Sequence, residues 1–334
     1  MKRNFTKILV LTSLFFIFVG CENKDIKDSN TQVKNNIDVN IGMYNGEASL
    51  LFFIAKDNEL FKKHGLNANI KSYKTGRDAF KAMLDGEVSY SSATEYVAVK
   101  NSFSNNNFKI LASISQASIN GMLAKNSSNI NDGFDLVGKK VGTTIGTATE
   151  FYTGVFLEQY NLKLADVNLV NVSPKDRIKS YGEDKYDALF AWEPHIYKIT
   201  KQYPKNYKYY DMPLSFKFDF VLSVDEKFHS QNQEVSKRIL SALIDAQEIF
   251  ESNKEKVLND ILVKYLKYDK EYIDYSKDKY KFDLNLNYPM LVNMKKQALF
   301  LLENKITSGE YLDKKLLDIK TLENIDSKRV TIWE

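Results

Sequence analysis

From Ile37 onward the apolar positions of the chain switch between a period of two and a period near 3.6. Ile37-Asp-Val-Asn-Ile41 alternates as a half-buried strand does, and Gly42 to Ser49 reads as a loop. Leu50 to His64 has helical spacing, with Leu51, Ile54, Ala55 and Phe61 on one side and Asn58 interrupting it. Gly65 supplies the stop, as a glycine just past a helix commonly does. Ala68 to Tyr73 alternates again, and Thr75-Gly76 opens a helix over Asp78 to Leu84 that ends at Asp85-Gly86. Val88 to Ser92 is a third strand, Thr94 to Lys100 starts another helix, and Phe108 to Ser115 and Gly121 to Lys125 read as strands. Repetition of strand, loop and helix predicts parallel strands and an α/β fold.

The second stretch repeats the style. Asp135 to Gly142 is a turn into a strand, Thr143 to Thr149 a loop of small residues, and Glu150 to Gln159 a helix. Strands over Val167 to Val172 and Tyr186 to Ala191 frame a helix over Pro174 to Tyr181, and Pro194 to Gln202 is a further helix. Phe218 to Val224 is strand-like, Glu234 to Phe250 is a long amphipathic helix, and Lys254 to Tyr265 and Tyr288 to Leu302 are helical. So many residues exceed one comfortable core, which predicts two lobes. The division expected is 37–124 for the first part of lobe I, 125–215 for lobe II, and 216–334 for the return to lobe I with C-terminal helices.

The N-terminus changes the picture. Lys2, Arg3 and Lys7 precede an apolar run from Ile8 to Gly20, the layout of a signal peptide and too short to span a bilayer. Phe18-Val19-Gly20-Cys21 resembles a bacterial lipobox, which implies cleavage before Cys21 and lipid on its sulfur. Cys21 is the single cysteine of the chain, so no disulfide can form within a monomer. Residues 21–36 are mostly polar and read as a flexible linker. The protein is thus expected in the cell envelope, held to a membrane only by its lipid. Without Lys2, Arg3 and Lys7, 44 basic residues stand against 43 acidic ones, and they are interspersed, so nothing points to nucleic acid.

Three stretches carry a resemblance. They are Gly42 to Leu66, including Phe53-Ile-Ala-Lys-Asp-Asn-Glu-Leu-Phe61; Thr75-Gly76 through Ala82-Met-Leu-Asp-Gly-Glu-Val-Ser89; and Asp135 to Gly142 with Gly146-Thr-Ala-Thr149 and Asp187-Ala-Leu-Phe-Ala-Trp-Glu-Pro194. In order and spacing this resembles the solute-binding lipoproteins of ABC importers, in the nitrate/sulfonate/taurine group and its relatives that bind thiamine-pyrimidine precursors. The resemblance spans roughly residues 37 to 250. It implies a two-lobed periplasmic-binding-protein fold of type II with a hinge between lobes, a monomer, no cofactor, and an ABC permease and ATPase as partners. The strand near Val88 commonly carries an Asp in relatives, and here it reads Val88-Ser-Tyr-Ser-Ser92.

In an open α/β sheet, ligands bind outside the carboxyl ends of the strands. That rule selects the loops from which the candidate ligand-binding residues come. Gly146, Thr147 and Thr149 join a strand to a helix whose free N–H groups suit an anionic oxygen, though a threonine there also serves as a cap. Trp192 can stack on a flat ligand or pack in the core, and Glu193 can accept from a ring amine or merely favour a helix start beside Pro194. Tyr44, Asn45 and Glu47 lie in the first loop, Thr75 at a helix start, and Thr94 and Glu95 after the third strand. Arg77 reads as a surface residue that could also pair with an anion. His64, His195 and His229 are far apart, which gives a zinc site little support, and no Gly-x-Ser-x-Gly elbow occurs. The tyrosines from Tyr265 to Tyr280 read as a packing stripe.

Three functions follow from these residues. The first is a binding lipoprotein delivering a small organic nutrient to a permease. The second is an enzyme of the same fold acting on a pyrimidine or menaquinone precursor. The third is a ligand-sensing module for a membrane receptor. The threonine-rich donors suit a sulfonate, whereas Glu47, Glu95 and Glu193 would prefer a ring amine if they face the cleft.

Overall fold

The computed structural model describes residues 36–211, 216–311 and 313–332. The expected leader, Cys21 and almost all of the linker lie outside them. The first sheet begins with β1 (Ile37–Tyr44), followed by α1 (Leu50–Asp57), α2 (Leu60–Lys63), β2 (Leu66–Tyr73), α3 (Gly76–Leu84), β3 (Tyr90–Thr94), α4 (Glu95–Ser102) and β4 (Phe108–Ala117). Ser118 and Ile119 carry the chain into a second sheet. The second lobe, built on that sheet, comprises β5 (Asn120–Lys125), β6 (Lys140–Thr143), α5 (Ala148–Glu158), β7 (Asn168–Asn171), α6 (Arg177–Gly182), β8 (Ala188–Trp192), α7 (His195–Gln202) and β9 (Tyr207–Asp211). The chain then rejoins the first sheet with β10 (Phe218–Asp225). It continues through α8 (Glu226–Gln231), α9 (Gln233–Ser252), α10 (Lys254–Leu266), α11 (Lys270–Ser276), β11 (Tyr280–Lys281), α12 (Tyr288–Glu303), α13 (Asp313–Leu316) and α14 (Ile319–Glu323).

The strand orders are 11-4-10-3-1-2 in the first sheet and 7-6-8-5-9 in the second. The helices pack on these sheets to give a two-lobed α/β molecule. Neither sheet is wholly parallel, contrary to what the strand–helix repetition predicts. β1 pairs in parallel with β2 and β3, but β10 inserts antiparallel between β3 and β4. In the second sheet β5 runs antiparallel to both β8 and β9. The reversals involve the strands at which the chain changes lobe, where a strand enters its sheet without a helical crossover.

Local chemistry explains the boundaries. The interruption expected at Asn58 is real: its Nδ2 donates to Ile54 O at 3.0 Å, and Glu59 adopts φ +53°, so α1 stops and α2 restarts. Gly65, at φ +72°, ends α2. β3 is buried along its whole length, and after Tyr90 it is built of small residues, because helices cover both of its faces. No helix among the described residues is long and apolar enough to cross a membrane.

Candidate functional site

Three helices of the molecule aim their N-termini at one cavity between the sheets. They are α3 and α4 from the first lobe and α5 from the second, and Thr75, Thr94 and Thr147 stand immediately before them. Together with Gly76, Arg77, Ala148 and Thr149 these residues line the cavity, and Tyr44, Trp192, Phe218, Phe220, Val97, Ile119 and Asn120 complete the wall. The space free of atoms is about 430 Å³, open mouth included.

Each threonine is differently occupied. Thr75 Oγ1 caps α3 by accepting from Asp78 N at 3.0 Å. Asp78 N and Ala79 N are thereby satisfied by Thr75, which leaves the first-turn amides of Gly76 and Arg77 for a ligand. Thr147 Oγ1 donates to Thr144 O at 2.7 Å and caps nothing, and Thr149 Oγ1 donates to Asn120 Oδ1 at 3.2 Å. Thr94 Oγ1 is buried with no hydrogen-bond partner among the described residues. Gly76 is required by close approach, since a Cβ there would lie 2.7 Å from Ala93 Cα.

The aromatic wall joins the lobes. Trp192, at the end of β8, donates from Nε1 to the Tyr44 hydroxyl at 3.2 Å, and Tyr44 stacks on Phe220 with ring centres 5.8 Å apart. Arg77, read from the sequence as a surface residue, lies at this junction: its Nη1 donates to Ile145 O at 2.8 Å across the cleft, while Nε and Nη2 hold Asp78 Oδ1. Lys100 of α4 pairs with Glu150 of α5 at 2.7 Å, a further bridge between lobes.

The remaining sequence candidates lie off the cavity. Asn45 is exposed, and its backbone N donates to Tyr73 O. Gly146, at φ +80°, donates to Glu150 Oε2 at 3.0 Å, behind the α5 turn. None of the three candidate carboxylates, all buried, lines the cavity. Glu47 accepts from the hydroxyls of Tyr272 and, at 3.3 Å, Tyr268, and burial pushes its pKa up to about 7. Glu193 accepts from Tyr275 at 2.6 Å and from Tyr197 N at 3.0 Å, and burial raises it as well. Glu95 accepts from Gln297 Nε2 at 2.9 Å, and burial followed by the nearby Asp219 raises its pKa well above the usual carboxylate range. Asn120, Phe218 and Phe220 belong to the wall but carried no local signal, because their strands reach the cleft only through the lobe crossings.

The region that builds this cleft matches known proteins. A family model described as NMT1/THI5 like covers residues 47–255. The chain belongs to the NMT1/THI5-like family. A Brucella abortus relative provisionally named as a binding protein is 26% identical over 233 residues, covering 65% of this chain and 67% of the relative. A Bacillus subtilis relative provisionally named for binding aliphatic sulfonates is 22% identical and covers 57% of each chain. Among solved structures, the alkanesulfonate-binding protein SsuA of Xanthomonas axonopodis bound to MOPS superposes with a TM-score of 0.72 at 12% identity, covering 85% of this chain and 99% of that one. The desulfurization enzyme DSZB gives 0.66 at 14% identity over 88% and 99% of the two chains. At such identities the likeness establishes the fold, which is the two-lobed periplasmic-binding-protein fold of type II. This NMT1/THI5-like chain therefore shares its architecture with binding proteins and with an enzyme, and its cavity has to decide between them.

Proposed function

We infer that the protein is the solute-binding component of an ABC importer and that its cleft captures a small organic oxyanion, a sulfonate attached to an apolar or aromatic group. One observation carries this reading: three helix N-termini with their threonines meet on a cavity whose one charged lining side chain is Arg77. Ring amines and taurine-like zwitterions would need a carboxylate in the wall, and Glu47, Glu95 and Glu193 are hydrogen-bonded elsewhere. Tyr44, Trp192, Phe218 and Phe220 supply area for the organic part, which nitrate lacks. The relative named for aliphatic sulfonates supports the same class. In this reading residues 1–20 are removed, Cys21 carries lipid, and the lobe built on the first sheet closes on the lobe built on the second, the crossing falling at Ser118–Ile119 and not after residue 124 as expected. The monomer then presents its ligand to a permease and its ATPase.

A thermal-shift series tests it. Benzenesulfonate and hexanesulfonate should raise the melting temperature of the full-length chain by mass action, and the bound sulfonate should be recovered unchanged. A shift with cationic aminopyrimidines and none with sulfonates would overturn the ligand class. Turnover of the sulfonate would replace the transport reading with an enzymatic one.

A further inference from the structure

Arg177 opens α6 and is wholly buried. Its guanidinium carbon lies 3.3 Å from the centre of the Trp192 ring. Nη2 donates to Thr144 Oγ1 at 2.6 Å, but Nε and Nη1 meet no acceptor among the described residues. An arginine taken out of water ordinarily brings a carboxylate with it, and here the titratable neighbours are the phenols of Tyr44 and Tyr186. His195, edge-on to Trp192 at 5.7 Å, adds no charge: burial and then Arg177 push its pKa down to about 3. Burial lowers Arg177 itself to about 9, which leaves it charged at neutral pH.

This charge reaches the cavity through Trp192, whose covered face it occupies, and through Tyr44, to which Trp192 is bonded. A neutral side chain of the same volume would fill the space at less cost in desolvation. What the guanidinium supplies is positive potential. Arg77, in the lining, is paired with Asp78, and the Glu95 carboxyl behind the wall is held by Gln297. We propose that Arg177 is a specificity residue acting through Trp192, making the cavity electropositive so that it selects anionic ligands over neutral ones of the same shape. This rests on the anion reading of the cavity given above. A ligand stacked on the open part of the indole would carry its charge roughly 7 Å from the guanidinium, and at an effective dielectric of about 20 that attraction corresponds to about tenfold to fiftyfold in affinity.

Two measurements on the full-length chain test the proposal with Arg177→Met, which keeps the bulk and removes the charge. The first reads Trp192 fluorescence against iodide and acrylamide in a Trp333→Phe background, these being the two tryptophans of the sequence. Iodide quenching should fall severalfold in R177M while quenching by neutral acrylamide is unchanged, and Arg177→Lys should restore it. An unchanged ratio of the two quenchers overturns the proposal whatever the cavity binds. The second compares benzenesulfonate with neutral benzenesulfonamide. R177M should lose about tenfold or more for the sulfonate and less than about twofold for the sulfonamide, with a melting temperature unchanged or raised. Equal losses for both ligands, or an R177M chain that melts early or fails to fold while R177K folds, would make Arg177 a scaffold residue and overturn the proposal. If the wild-type chain binds neither probe but its iodide quenching depends on Arg177, the electropositive cavity stands and the sulfonate reading falls.

Discussion

Thr94 holds a buried hydroxyl, without a partner among the described residues, on the wall of the cleft. Leaving such a group unpaired costs about 1–3 kcal/mol, so a ligand that bonds to it recovers free energy the empty protein lacks. Thr94→Val keeps the shape and removes the polar atom. The melting temperature should stay level or rise, and benzenesulfonate binding should weaken by about tenfold. A lower melting temperature with full affinity would give the hydroxyl a structural role instead. Gly76 behaves in the opposite sense. Its missing side chain lets the start of α3 rest on the backbone of β3, and Gly76→Ala would push a methyl group against Ala93 Cα. A loss of about 1–3 kcal/mol is expected, measurable as a lower urea midpoint. Thr75-Gly76 was legible as a helix start because caps are local chemistry. The contact that makes the glycine necessary was not, since Ala93 lies on another strand.

The helix α11 shows the same limit at the next scale. The tyrosines of this stretch read from the sequence as packing, and Tyr272 of α11 does pack, its ring centre 4.7 Å from that of Tyr268 just before the helix. What the pattern could not announce is that Tyr272 donates to Glu47 in the first lobe while Tyr275 donates to Glu193 in the second. The partners are 225 and 82 residues away in sequence, and periodicity reports only which face is covered. β10 is a similar case: its apolar run was recognisable, but its antiparallel place between β3 and β4 depends on where the chain recrosses between lobes. With Lys201 of α7 paired to Glu271, α11 fastens the second lobe to the first. Tyr275→Phe removes a donor from the buried Glu193 carboxylate. It should lower stability by about 1–3 kcal/mol and weaken ligand capture while leaving the preference of anion over neutral ligand intact. A change in that preference would mean that Glu193 faces the ligand after all.

For the whole molecule, the buried carboxylates set a dependence on pH whose sign can be worked out. Burial raises Glu47 from 4.5 to about 7, only partly offset by Tyr272, and Glu193 adds repulsion from across the cleft. The folded state therefore holds the Glu47 proton more tightly than the unfolded chain. That contribution, about 3 kcal/mol, is fully present below pH 4.5 and is lost as pH rises through about 7. Asp318 acts at the other end. Burial alone would raise it, but hydrogen bonds from His229 and Thr321 bring it from 3.8 down to about 2, so its contribution is present above 3.8 and is lost as pH falls through 2. These two groups place the stability plateau near pH 4, with a decline from about pH 4.5 to about 7. Because Glu47 and Glu193 belong to opposite lobes, ionising both also favours parting of the lobes, and ligand affinity should fall over the same upper interval. Glu47→Gln removes the titrating group while keeping an acceptor for Tyr272. Its melting temperature and its affinity for benzenesulfonate should both be nearly flat from about pH 4.5 to about 7, where those of the wild type decline. If the variant declines as steeply as the wild type, some other group governs closure, and the interlobe carboxylates only fill space.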